Sequence, residues 1–192
     1  MTNTNKNEQL EALHNLYKAC KHCPLASLGR QQVVFGEGNP NAPLLFLGEG
    51  PGREEDKVGR PFIGRSGQLL RKTIAKIGLK PEDYYITNVV KCRPPNNRLP
   101  NKGEISPCTK LILKRELDII QPKVICSLGS CATKVILEEK LIRMTDARKK
   151  IINKNGLSVK PVFHPAYILR NSKMRDMWIL DLKQAFDLSK NS

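Results

Sequence analysis

The chain has 192 residues, with 33 Lys or Arg against 18 Asp or Glu, so it carries a formal charge of +15 and a sequence pI near 9.7. That excess points to a polyanionic partner; ribosomes, RNA, DNA and acidic lipid headgroups would all satisfy it, because net charge sets attraction and on-rate rather than sequence choice. No apolar run approaches a membrane span and Met1 to Asn7 is polar without an apolar signal core, which excludes a membrane protein and leaves a cytoplasmic one.

The length suits a single domain, residues 1–192, with polar tails at about 1–7 and 189–192. Leu10, Leu13, Leu16 and Tyr17 recur at helical spacing, so a helix from Glu8 to Cys20 delivers Cys20-Lys21-His22-Cys23-Pro24 to its end. Two thiols at this spacing can turn to one metal. His22 then points away and reads as a solvated turn residue. Gln31 to Phe35 reads as a short edge strand, and Leu44 to Leu47 as a buried one. The loop that follows, Gly48-Glu49-Gly50-Pro51-Gly52-Arg53-Glu54-Glu55-Asp56, lets the backbone approach a ligand at the edge where open α/β sheets bind them. Its acids make it a poor phosphate cradle, and it also reads as a polar turn with helix-starting acids. In Gly59-Arg60-Pro61-Phe62-Ile63-Gly64 the aromatic either anchors packing or gives its face to a flat ligand. Ser66 is expected to cap a helix from Gly67 to Ile77, whose free amides form a phosphate site with Arg65.

A second strand, Tyr85 to Val90, carries Asn88 near its end, where the carboxamide must find partners in a neighbouring loop or a ligand. Lys91 to Pro100 contains three prolines and is an extended basic loop starting at Cys92. Cys108 follows Pro107 at the start of a helix from Thr109 to Ile120. Six cysteines in a cytosolic chain are metal ligands or small core residues. Cys20, Cys23, Cys92 and Cys108 can meet, and four thiolates complete either a Zn²⁺ site or an iron–sulfur cluster. Cys126, inside the strand Val124 to Leu128, and Cys131, opening the next helix, are assigned to packing. Leu141 to Asn155 is basic, and Asn155-Gly156 signals a hairpin. The last strand starts at Val159 and ends in His164-Pro165, where an imidazole either caps or donates to developing negative charge. Ser172 to Leu188 is a helix with Met177, Trp178, Leu180, Leu182 and Phe186 as its apolar positions. The alternation predicts a three-layer α/β/α sandwich around a largely parallel sheet.

Gly48-Glu49-Gly50-Pro51-Gly52 with Glu55-Asp56, Gly59-Arg60-Pro61-Phe62, Thr87-Asn88-Val89-Val90-Lys91-Cys92-Arg93-Pro94-Pro95 and His164-Pro165-Ala166-Tyr167 together resemble the family 4 uracil-DNA glycosylases, the iron–sulfur type, over Cys20 to about Arg170. The resemblance implies a central four-stranded sheet, uracil-containing DNA as the partner of a monomer, and a structural [4Fe-4S] cluster on Cys20, Cys23, Cys92 and Cys108, with Zn as the alternative. It implies hydrolysis of the bond between uracil and deoxyribose without a covalent enzyme intermediate. Phe62 would stack on the base, Asn88 would read its edge, and His164 would sit at its O2. Glu49, Gly50, Pro51 and Glu55 would complete the uracil pocket, while Ser66, Gly67 and Arg170 would take phosphates and Ile168 or Leu169 would wedge into the stack. A non-catalytic, metal-bearing nucleic-acid-binding protein on the same scaffold is the alternative.

The chain also departs from the wider superfamily. Gly50 stands where many relatives have an aspartate, leaving Glu49 and Glu55 as the groups to position water; Glu49 can also act through its backbone. Gly52 replaces the aromatic that bars thymine's methyl in some relatives, so that task falls to Glu55 or nearby backbone. No histidine-bearing loop lies between Cys92 and Cys108, and Lys57 and Lys91 lie off the strand ends, so neither a covalent trap nor an imine is expected. Arg148 is followed by Lys149 where a glycine is usual.

Overall fold

The computed structural model describes residues 5–190. Four parallel strands form the centre: β2 (Leu44–Gly48), β3 (Tyr84–Asn88), β4 (Val124–Leu128) and β6 (Leu157–Val162). Two short antiparallel strands, β1 (Glu37–Gly38) and β5 (Ile152–Lys154), extend the order to β1-β3-β2-β4-β6-β5. The sheet is thus larger than the expected four strands, with the four-stranded parallel unit at its heart. Its inner strands are buried on both faces, which is why β2 reads as Leu44-Leu45-Phe46-Leu47 rather than alternating.

Helices α1 (Lys6–Tyr17), α2 (Arg53–Val58), α3 (Arg65–Lys76), α4 (Lys102–Cys108), α5 (Lys114–Ile120), α6 (Gly129–Leu137), α7 (Met144–Ala147), α8 (Pro165–Arg170) and α9 (Arg175–Lys190) surround the sheet. Leu44 and Phe46 pack with Leu70 and Ile74 of α3 and Trp178 and Leu182 of α9. Leu45 and Leu47 pack on the other face with Leu10 and Leu13 of α1, Ile120 of α5 and Ala132 of α6. Among the described residues no helix is long and apolar enough to cross a membrane.

Four local expectations change. The edge strand is Glu37–Gly38 rather than Gln31 to Phe35: Val33 and Val34 enter the core, and the chain crosses the Tyr85 ring at Gly36, where a Cβ would lie 2.4 Å from that ring. The helix expected from Thr109 begins at Lys102, nucleated by a capping box between Asn101 and Glu104. Pro107 lies inside it, and a π turn over Thr109–Leu113 follows before α5. Helical order also takes in Lys6, Asn7, Ser189 and Lys190 of the expected tails, whereas 1–4 and 191–192 lie outside the described residues. On α9, Leu180 is 60% exposed, and the buried positions include Asp181 and Leu182.

Asp181 explains Arg148. Its carboxylate takes Nε and Nη2 of Arg148 at 2.6 and 2.9 Å and lies 3.5 Å from the buried Lys160 ammonium, tying α9 to the segment before the hairpin. Breaking a buried pair leaves an uncompensated charge. Asp181→Asn should therefore destabilise the protein by about 3 kcal/mol or more, read from urea unfolding; an unchanged midpoint would contradict this account.

Candidate functional site

A cleft of about 450 Å³ opens at the C-terminal edge of the parallel strands, between the loops after β2, β3 and β6. It brings together Phe62, Asn88 and His164, which stand far apart along the chain, with Glu49, Gly50, Pro51 and Glu55 beside them. The register causes this. Gly48 pairs with Asn88, and the pairing continues as Val89 N–H donates to Gly48 O (2.9 Å) and Val90 N–H to Glu49 O (3.0 Å). A Cβ at Gly48 would lie 2.4 Å from both Asn88 Oδ1 and Phe62 Cζ, so this glycine makes the space in which ring and carboxamide meet.

Phe62 is buried with φ +57°, a left-handed conformation that non-glycine residues rarely adopt. Arg71 of α3 holds it there, with Nε donating to Phe62 O (3.0 Å) and Nη2 to Pro61 O (2.9 Å). Glu37 bridges Arg71 and Arg60, anchoring the loop to β1. Glu55 is buried, and one of its oxygens accepts from Gly64 N–H at 2.8 Å. Its other oxygen would lie 2.7 Å from a Cβ at Gly52, so the carboxylate occupies the space that a side chain at that position would need. Glu49 is only partly exposed, and burial raises its carboxyl above the usual range.

His164 ends the last strand and starts α8. Its Nδ1 accepts from Ala166 N–H at 3.2 Å, which leaves the ring proton on Nε2. Burial, helped by the Arg170 charge, lowers its pKa to about 4, so the ring is neutral near pH 7. Gly129 backs it: a Cβ there would lie 2.9 Å from His164 Cβ.

The expected phosphate-binding residues divide. Ser66 and Arg170 line the cleft, although the N-cap of α3 is Gly64, because α3 already begins at Arg65; Ser66 lies in its first turn among amides without helical partners. Gly67 is buried behind Phe62, where a Cβ would lie 2.2 Å from Phe62 C, so it packs rather than lining the cleft. Ile168 is core, while Leu169 is 44% exposed and lies outside the cleft lining.

Four further residues, to which the sequence assigns no role, also line the cleft. Asn97, Arg98 and Leu99 reach the cleft from the Pro-rich loop, and Tyr167 from α8. Arg98 is held by Glu104 through two bonds of 2.8 and 2.6 Å, a contact signalled in sequence only by the Asn101-x-x-Glu104 capping box. Nothing local marked Arg71, whose partners lie in other segments.

Cys20, Cys23, Cys92 and Cys108 line a second, much smaller pocket of about 10 Å³. The exposed His22 also borders it. Arg30 Nη1 donates to Cys92 Sγ (2.8 Å) and Lys91 N–H to Cys108 Sγ (3.3 Å), donors suited to thiolates. Among the described residues no three His, Cys, Asp or Glu side chains are grouped for a single ion. One Zn²⁺ would draw its sulfurs to within about 4 Å of one another, given bonds near 2.3 Å. Burial pushes the Cys108 thiol up to about 12, so metal binding there must displace a proton. Cys126 and Cys131 lie outside this pocket, Cys126 wholly within the core.

A family model described as the uracil DNA glycosylase superfamily matches residues 35–186. The chain is 43% identical over 183 residues to a type-4 uracil-DNA glycosylase of Thermotoga maritima, covering 94% of each. It is 41% identical over 190 residues to one of Sulfurisphaera tokodaii, covering 95% of this chain and 86% of the relative. To one of Archaeoglobus fulgidus it is 38% identical over 188 residues, covering 94% of each. The chain therefore belongs to the uracil-DNA glycosylase superfamily. Within it, the type-4 group is its place.

The state of His164 is directly measurable. Its folded pKa lies below the unfolded value near 6.5, so the unfolded chain takes up the proton first on acidification. The stability it contributes is complete above about pH 6.5 and is lost progressively down to about pH 4. Histidine NMR titration should place this ring's midpoint near 4, and a midpoint near 6.5 would refute the buried, neutral assignment.

Proposed function

We propose that the chain hydrolyses the N-glycosidic bond of uracil in DNA, with the base extruded into the cleft that Phe62, Asn88 and His164 share. That convergence from three separate segments carries the reading. Extrusion costs a few kcal/mol, offset by stacking and edge recognition in a shaped pocket. Phe62 stacks on the ring. The Asn88 carboxamide accepts from uracil N3–H and donates to O4, whereas cytosine presents the reverse pattern and leaves a buried group unpaired. Asn88 is almost wholly buried, and no hydrogen bond within the described residues engages its carboxamide, which supports this role. The Glu55 carboxylate, held by Gly64 in the space beside Gly52, stands against a methyl group at C5.

As the C1′–N1 bond breaks, its electron pair leaves with uracil and the sugar becomes oxocarbenium-like. The neutral His164 donates Nε2–H to the charge growing on O2, with backbone amides of Glu49 and Gly50 assisting. The DNA's own phosphates stabilise the sugar cation. Glu49, raised in pKa by burial, positions the water that adds to C1′ and accepts its proton. Ser66 and Arg170 take phosphates at the rim and Leu169 enters the vacated stack. The enzyme acts as a cytoplasmic monomer.

Cys20, Cys23, Cys92 and Cys108 hold a [4Fe-4S] cluster, which supplies a structural tie between the N-terminal segment and the Pro-rich loop and takes no part in bond cleavage. Their shared pocket and its N–H donors support this assignment.

The deciding experiment incubates the protein with a uracil-containing oligonucleotide and then cleaves abasic sites. Strand scission is expected, and an intact strand at enzyme excess would favour a non-catalytic binding protein. His164→Ala should lower the rate by about 10²–10³-fold, the usual effect of removing one donor to a developing oxyanion. The acid limb of kcat/KM should lie above pH 4.5, because activity needs the Glu49 carboxylate and its pKa is raised. Glu49→Gln should remove that limb. Protein carrying the cluster should be brown, and Cys108→Ala should lose thermal stability before it loses chemistry; colourless protein with about one zinc would reject the cluster.

A further inference from the structure

Lys91 lies 0% exposed between the two sites. Its Nζ donates to Thr87 Oγ1 (2.6 Å), Asn88 O (2.7 Å) and Glu116 Oε2 (2.5 Å). Thr87 Oγ1 itself donates to Glu116 Oε2 at 3.0 Å. Along the backbone, Lys91 O accepts from Val34 N–H (2.7 Å) and Lys91 N–H donates to Cys108 Sγ (3.3 Å). An ammonium has three donors, and all three are used here. One holds the main-chain carbonyl of Asn88, the residue whose side chain faces the cleft.

We propose that Lys91, balanced by Glu116, is a positioning residue that fixes the end of β3 and so aims the Asn88 carboxamide at the base. The proposal rests on the glycosylase reading and extends it to residues that touch neither base nor sugar. Asn88 is the last position of β3 in register with β2, and on its other edge β1 reaches only Tyr85 and Ile86, so just before a loop broken by prolines the ladder holds it from one side. A lysine cross-linking its carbonyl to the side chains of the preceding turn of strand and of α5 removes the remaining freedom. An apolar side chain would fill the same space but could not grip a carbonyl, which gives a reason to bury a charge here.

A double-mutant cycle tests this. Lys91→Met alone leaves the Glu116 charge buried and uncompensated, so the informative variant pairs Lys91→Met with Glu116→Gln, made in the native and the Asn88→Ala backgrounds. Single-turnover uracil release should fall about 30-fold when Asn88 is present and less than about 3-fold when it is already alanine, because groups acting through one another are not additive. Amide exchange over residues 86–92 should quicken in the same variant. Equal losses in both backgrounds, or no loss with Asn88 present, would overturn the proposal. If the paired variant does not fold, Thr87→Val keeps the ion pair while removing one acceptor, and a smaller loss should again vanish without Asn88; an equal loss in both backgrounds would again overturn the proposal. Absence of uracil release by the native protein would remove the glycosylase reading itself, and this proposal with it. Native activity with additive losses would remove the positioning role alone.

Discussion

The parallel pairing of β2 with β3 is the constraint on which the site depends. With Gly48 opposite Asn88, the loop after β2 and the end of β3 finish at the same level. A one-residue slip would turn every side chain of a strand to the opposite face. Leu45 and Leu47 would then exchange places with Leu44 and Phe46, two cores would be mismatched, and Asn88 would leave the cleft. The packing of both helical layers thus enforces the alignment of polar groups that contribute little to stability themselves.

A second feature is the separation of charge by function. The molecule is strongly basic, yet the cleft sets a neutral imidazole beside two carboxyls, Glu49 and Glu55, which balance its two arginines, Arg98 and Arg170. Burial disfavours the charged form of both groups: it holds the imidazole neutral near pH 7 and makes the Glu49 carboxylate more basic than an exposed one. A neutral donor in such a setting makes a stronger hydrogen bond than in water, because little solvent competes for it. The long-range field draws in the polyanion, and the short-range interior sets the chemistry.

Ion pairs with a buried carboxylate serve geometry in this fold. Arg148 with Asp181 fastens the last helix, the exposed Arg98 with buried Glu104 shapes the Pro-rich loop at the cleft, and Lys91 with Glu116, both fully buried, holds the end of β3. Desolvation makes such pairs a weak source of net stability, but a single partner is costly to remove, so the paired arrangement is the one the chain keeps.

Much of the fold was legible because it is encoded locally. Leu44 to Leu47, Tyr85 to Val90 and Val124 to Leu128 are short apolar runs followed by turn residues, and Asn155-Gly156 does open into a hairpin between β5 and β6. Asn88 and His164 were recognisable as polar interruptions at strand ends, and Phe62 as the aromatic of a segment punctuated by Pro and Gly. The helix running through Pro107, the displacement of the edge strand by the Tyr85 ring and the caging of Phe62 by Arg71 were not. By itself the sequence determined which elements form and which chemistries are present, since periodicity and turn preference act over a few residues. Only the tertiary structure decided which loop tips meet and which charges are buried together, because register, desolvation and ion pairing depend on atoms separated by tens of residues along the chain.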